Sequence, residues 1–239
     1  MSFRFTIITD FMRIHYIQHV VYEDLGCIND WLTDRKYKIS STKIFESETF
    51  PDIETFDLLI ILGGPMSVND NLKWIKKEKL FIAKAIENNK KVLGICLGSQ
   101  FIASVLGEKI FQNEKKEIGW FPIQISKNQE FENPIEKIDN EIIVFHWHGE
   151  TFNLPKKTFH LAKSSICENQ AFIFNKNIIA LQFHLEITEK SLKKMITFGK
   201  NELINDDFIQ SEEIMKSFKN NILECNKRMF LLLEYFERN

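Results

Sequence analysis

Proline and glycine are scarce in this 239-residue chain, at 5 and 9 residues, and no stretch gathers them with serine into a linker. Without such a hinge the chain reads as a single domain over residues 1–239, long enough to bury a full core. An excess of one charge is also missing. The 31 basic residues against 33 acidic ones leave a net charge of −2. Lysine pairs such as Lys76-Lys77 and Lys115-Lys116 sit among acids and read as solvated faces. The basic stripe of a nucleic-acid binder is therefore absent. No window of about 18 residues is apolar enough to cross a bilayer. No basic segment followed by an apolar run and a small-residue cleavage site opens the chain. The expectation is a cytoplasmic protein that contacts neither membrane nor nucleic acid. Its four cysteines, Cys27, Cys96, Cys167 and Cys225, form no CxxC pair. They are expected to be reduced.

What is present is an alternation of short apolar runs and helical patterns. Arg4–Thr9 is β-branched and apolar and predicts a first strand. Tyr22–Arg35 predicts an amphipathic helix, with Leu25, Ile28, Trp31 and Leu32 at helical spacing. Strands follow over Lys38–Phe45 and over Asp57–Leu62, a continuous apolar run suited to a sheet covered on both faces. Trp74–Asn88 predicts a helix, Lys91–Ile95 a buried strand, and Leu97–Leu106 a helix that Gly107 can cap. Beyond Lys109 short strands dominate: Phe121–Ser126, Glu141–Trp147, His160–Ser164, Ala171–Phe174 and Ile178–Phe183. Two helices close the chain, Thr188–Asn201 and roughly Ile209–Phe236, the second with a break. The predicted fold is α/β: a doubly wound, mostly parallel sheet flanked by helices, with an antiparallel strand addition.

Three constellations carry chemistry. Gly94-Ile95-Cys96-Leu97-Gly98 lies between a predicted strand and a predicted helix, the setting of a nucleophile elbow. The helix after Cys96 points its positive end at the sulfur, which is expected to lower the thiol pKa. The alternative is a small buried cysteine at a strand end. Gly63-Gly64-Pro65 ends a neighbouring strand, at the edge where doubly wound sheets bind ligands. A glycine there can turn its N–H toward a developing oxyanion, or the motif is an ordinary turn. In Gln182-Phe183-His184-Leu185-Glu186, residues two apart face one side of an extended backbone. Glu186 can then fix the tautomer of His184, leaving the other ring nitrogen to deprotonate a thiol.

These pieces are LGGPMSV (Leu62–Val68), GICLGSQ (Gly94–Gln100), EIGW (Glu117–Trp120), HWHGE (His146–Glu150), ENQAF (Glu168–Phe172) and QFHLE (Gln182–Glu186). Together they resemble the class I glutamine amidotransferases, in particular stand-alone relatives of the amidotransferase domain of GMP synthase. The resemblance spans about residues 5–200 and leaves a C-terminal helical extension over about 203–239 unassigned. It implies the flavodoxin-like fold of that family and hydrolysis of the glutamine side-chain amide through a cysteine thioester, with release of ammonia and no cofactor. It implies Cys96 as nucleophile with His184 and Glu186 completing the triad. It also implies an oxyanion hole from the backbone N–H groups of Gly64 and Leu97, and a substrate held by Gln100, His148 and Gly149. Three departures stand out. Leu185 replaces a common Pro, Glu150 replaces the usual Asp, and no ATP-using synthetase domain follows, so the chain is not expected to be a complete GMP synthase.

His146, His148 and Glu150 suggest zinc by the H-x-H pattern, but no further ligand follows at a familiar spacing, and no metal is expected. Three functions remain. The first is glutamine hydrolysis for an unidentified acceptor, with the chain acting alone or partnered by a separate synthetase subunit. The second is hydrolysis of other γ-glutamyl compounds, such as γ-glutamyl peptides. The third is a non-catalytic regulatory module, against which the intact triad argues.

Overall fold

Alternation along the central strands decides the layering. Leu58 and Ile60 pack on one side of the sheet, and Leu59 and Ile61 on the other, so both faces must be covered. The computed structural model describes residues 12–47, 49–127, 133–135 and 141–239. The strand expected over Arg4–Thr9 lies outside them. The first described strand is β1 (Arg13–Gln18), followed by α1 (Ile28–Arg35), β2 (Lys38–Lys43), β3 (Leu58–Ile61), α2 (Lys73–Glu87), β4 (Lys91–Ile95) and α3 (Leu97–Val105). Then come β5 (Ile110–Ile125), β6 (Glu141–Phe152), β7 (Thr158–Lys163), β8 (Ala171–Phe174) and β9 (Ile178–Leu181). Helices α4 (Glu189–Phe198), α5 (Glu212–Ser217) and α6 (Lys219–Arg238) close the chain.

One nine-stranded sheet runs in the order β2-β1-β3-β4-β9-β8-β7-β5-β6. The pairings among β2, β1, β3, β4 and β9 are parallel; those from β9 through β6 are antiparallel. Helices α2 and α3 cover one face, with Ile82, Ala85, Phe101 and Ile102 against Leu59, Ile61 and Val92. Helices α1, α4 and α6 cover the other, with Ile28, Leu192, Met229, Leu233 and Phe236 in one cluster with Ile60, Leu93 and Ile179. Fully burying a side chain of this size contributes about 1.5–3 kcal/mol.

Local departures from the predicted elements have tertiary causes. Helix α1 starts at Ile28 rather than Tyr22 because Gly26 adopts φ +51°. A Cβ there would sit 2.0 Å from the carbonyl oxygen of Glu186, and the next amide, Cys27 N–H, donates to that oxygen at 2.9 Å. Strand β5 is 16 residues long, where only Phe121–Ser126 is expected from the sequence. Its polar stretch Gln112–Lys116 is carried by pairing to β6 across a register shift between Gln112 and Glu117. The expected break in the last helix falls at Phe218, whose ψ of 41° is not helical.

The C-terminal segment is stitched to the sheet. Ile118 N–H donates to Phe208 O, and Gln210 N–H donates to Ile118 O. The Gln210 side chain brackets Trp120, accepting from its N–H and donating to its C=O, each at 2.9 Å. In α6, the amide of Asn226 donates to the carbonyls of both Leu185 and Ile187, at 3.1 and 2.8 Å. No helix among the described residues is long and apolar enough to cross a membrane.

Candidate active site

Four neighbouring parallel strands end on one edge of the sheet, and each delivers one piece of the site. His19 follows β1, Gly63-Gly64 follows β3, Cys96 follows β4 and His184 follows β9. Cys96 sits at φ 51°, ψ −109°, a conformation that non-glycine residues avoid. The surroundings over-determine it. Its N–H donates to Leu181 O at 2.7 Å, and its C=O accepts from Ser99 N–H at 3.0 Å. The turn is tight enough to need glycine at Gly98, where a Cβ would lie 2.1 Å from the Ile61 carbonyl oxygen. The elbow expected from the sequence is present, with α3 beginning at the next residue.

Cys96, Gly64, Leu97, Gln100, His148 and Gly149 line one cleft together with Tyr22, Glu23, Ser67, Lys116, Trp147, Glu150, Met195, Gly199 and Glu202. The Cys96 sulfur lies 3.6 Å from Trp147 O and 3.8 Å from Gln182 Nε2. His184 is held by its N–H donating to Phe145 O at 2.8 Å, and its Nδ1 lies 2.6 Å from Glu186 Oε1. Its Nε2 is buried without a hydrogen-bond partner. Burial opposes charging the imidazole, but Glu186 and Cys96 outweigh it, and the His184 pKa is raised well above its ordinary value. The thiol moves the other way from the sequence expectation. Burial pushes the Cys96 pKa up, and this outweighs the lowering from His184 and from the Leu97 N–H. At the Cys96 sulfur, burial thus outweighs the pull of the helix N-terminus.

The residues expected to hold the substrate line the same cleft, and Gln100 and His148 are themselves fixed by polar contacts. Gln100 Nε2 bonds Gln182 Oε1 at 3.2 Å and Glu150 O at 3.3 Å, which fixes its amide at the cleft. His148 Nε2 lies 3.1 Å from Glu117 Oε2, an oxygen that also accepts from Gln170 Nε2 at 2.6 Å. Glu117, His146 and His148 form the described group whose donor atoms could hold a cation, all within 4.8 Å of one another. With its Oε2 engaged by His148 and Gln170, Glu117 forms a polar bracket behind the cleft wall. Burial pushes the His146 pKa down to about 4. Glu150, the unusual acid, accepts from Ser67 and Gln112 at 3.0 and 3.2 Å.

Several residues join the site without a sequence signal. Glu23 brings a carboxylate to the cleft, with Oε2 buried and unpartnered. Burial pushes its pKa up to about 7, against the pull of His184. Glu202 joins Lys116 and Trp147 at 2.7 and 3.1 Å, so the segment after α4 walls the cleft. His19 pairs with Glu78. A lone Glu in a turn and a lone His after a strand carry no spacing pattern, because their partners lie far away in sequence.

Of the four thiols, Cys96 is the one that lines the cleft; Cys27, Cys167 and Cys225 are buried in packing, with the pKa of Cys167 pushed up to about 11 and that of Cys225 to about 12. Alkylation by iodoacetamide is expected to be fastest at Cys96 and to lose its fast phase in Cys96→Ala. Peptide mapping that finds the first label on another cysteine would refute this.

The family Glutamine amidotransferase class-I matches residues 21–203. The glutamine amidotransferase-like protein YfeJ of Salmonella typhimurium is 29% identical over 232 residues, covering 93% of this chain and 96% of its own. Gamma-glutamyl peptidase 3 of Arabidopsis thaliana is 29% identical over 150 residues, covering 61% and 60%. A glutamine-hydrolyzing GMP synthase subunit of Sulfolobus acidocaldarius is 30% identical over 174 residues, covering 70% and 88%. The crystal structure of a glutamine amidotransferase from Methylobacillus flagellatus superposes with a TM-score of 0.90 at 25% identity, covering 95% of both chains. With the elbow cysteine, the His184–Glu186 pair and the shared sheet all in place, the chain belongs to the class I glutamine amidotransferase family.

Proposed function

We propose that this chain hydrolyses the γ-acyl bond of glutamine or of a γ-glutamyl compound through a thioester on Cys96. The observation that carries the reading is the strained Cys96 elbow facing a histidine whose far nitrogen is tied to Glu186. The sulfur attacks the γ-carbonyl carbon as His184 takes its proton. The oxyanion formed is held by the N–H groups of Gly64 and Leu97. His184 returns the proton to the leaving nitrogen, which departs as ammonia or an amine. Water, deprotonated by His184, then cleaves the thioester to release glutamate and restore the thiol.

Independent action is favoured over delivery of ammonia to a separate synthetase. The segment from Gly199 to Glu202 already supplies a wall of the cleft, fixed by Lys116 and Trp147. Similarity to a γ-glutamyl peptidase supports the wider substrate class. The deciding experiment is turnover by the purified chain against glutamine and a panel of γ-glutamyl peptides and amines. Turnover of any of these by the isolated chain is expected. No turnover alone, restored by one co-purifying synthetase, would overturn independent action. No turnover under either condition would overturn the enzymatic reading.

A further inference from the structure

The peptide between Gly63 and Gly64 has its orientation set from outside the triad. His19 Nδ1 lies 3.1 Å from the Gly63 carbonyl oxygen. Its Nε2 lies 3.0 and 3.2 Å from the two carboxylate oxygens of Glu78 on α2. Both side chains are wholly buried, and the ring stacks on Phe101 with 9° between the planes. Both ring nitrogens thus face acceptors, and a ring that donates both ways carries two protons. Burial opposes that cation, but Glu78 and the Gly63 carbonyl outweigh it and raise the His19 pKa.

A buried ion pair is poor evidence for stability, because apolar replacements are often neutral or better. Its effect on the peptide gives it another use. In a trans peptide the C=O of one residue and the N–H of the next point in opposite directions, and the described chain has no cis bond. Holding the Gly63 C=O against His19 turns the Gly64 N–H away from His19, toward the cleft that Gly64 lines with Cys96 and Leu97. A Gly-Gly peptide has little steric preference of its own and would otherwise turn over at small cost.

We propose that the His19–Glu78 pair is a positioning device: it locks the Gly63–Gly64 peptide with the Gly64 N–H facing Cys96, so the oxyanion hole exists before substrate arrives. This rests on the reading of Cys96 as nucleophile. The pair touches no reacting atom and acts through one peptide group.

The test replaces the pair with apolar residues that leave no buried charge behind, in His19→Phe/Glu78→Leu. On a substrate that the wild type turns over, kcat is expected to fall about 10²–10³-fold, the loss typical of one oxyanion donor, with KM little changed. Alkylation of Cys96 by iodoacetamide forms no oxyanion and is expected to stay near the wild-type rate. A crystal structure of the variant is expected to show the Gly63–Gly64 peptide flipped or in two orientations. Full kcat, an unmoved peptide, or alkylation falling in step with kcat would overturn the proposal. A second pair, His19→Leu/Glu78→Met, guards against a packing failure; if neither folds, the pair serves the fold and the proposal falls. A wild type that turns over no γ-glutamyl substrate would sink the functional reading, while the peptide orientation in the variant still decides this one.

Discussion

Cys96→Ala is expected to reduce turnover of the best γ-glutamyl substrate by about 10⁶-fold, to the level left when a triad nucleophile is removed. The alanine fits the same turn, since the backbone ties to Leu181 and Ser99 do not involve the side chain. On the proposed reading substrate binding is expected to survive, because the cleft residues Gln100, His148 and Gly149 are untouched. The measurement is ammonia or amine release, with thermal unfolding as a check that the fold persists. Residual activity above about one part in a thousand of wild type in a folded variant would show that the thioester route is wrong, because oxyanion and binding effects alone leave only about 10³–10⁴-fold over the uncatalysed rate, far below the intact triad.

The second large effect is expected for Glu186→Gln, about 10⁴-fold in kcat. With the carboxylate 2.6 Å from His184 Nδ1, that nitrogen carries a proton, and on the proposed reading Nε2 is the nitrogen that exchanges a proton with the sulfur. A glutamine amide can instead present its NH₂ to Nδ1, which moves the ring proton to Nε2 and removes the base. Nucleophile and oxyanion donors remain, so the loss is expected to be smaller than for Cys96→Ala. Equal losses, with a lowered unfolding temperature, would assign Glu186 a role in holding the loop as well. Its backbone carbonyl already accepts from Cys27, which makes that a real alternative to measure.

The candidate triad is legible in the sequence because each half of it is local. The elbow needs five consecutive residues around Cys96, and His184 and Glu186 are two apart. The sheet core is legible where strands are wholly apolar, as in β3 and β4. Strand β1 is not: it carries His15, whose ring nitrogens are satisfied by Ser40 and Thr42 of β2 at 2.9 and 3.1 Å. A histidine in the core reads as surface until its partners are known. The same holds for the polar middle of β5, which is a strand only because β6 lies beside it. His19 stands unclustered in the sequence, since its partners lie 44 and 59 residues away. The helix alone predicts a lowered thiol pKa, and burial of the sulfur reverses it.

The bonds from Asn226 give the last helix a place in the history of the site. The family match stops at residue 203, yet the carbonyls on either side of Glu186 are both held by one amide at position 226. An aspartate there would offer oxygens to oxygens, and an alanine would remove the amide donor from both carbonyls. A change in the helix at position 226, or in the Leu185–Ile187 stretch, therefore either keeps this pair of bonds or loses it, and in losing it unfastens the segment that carries Glu186.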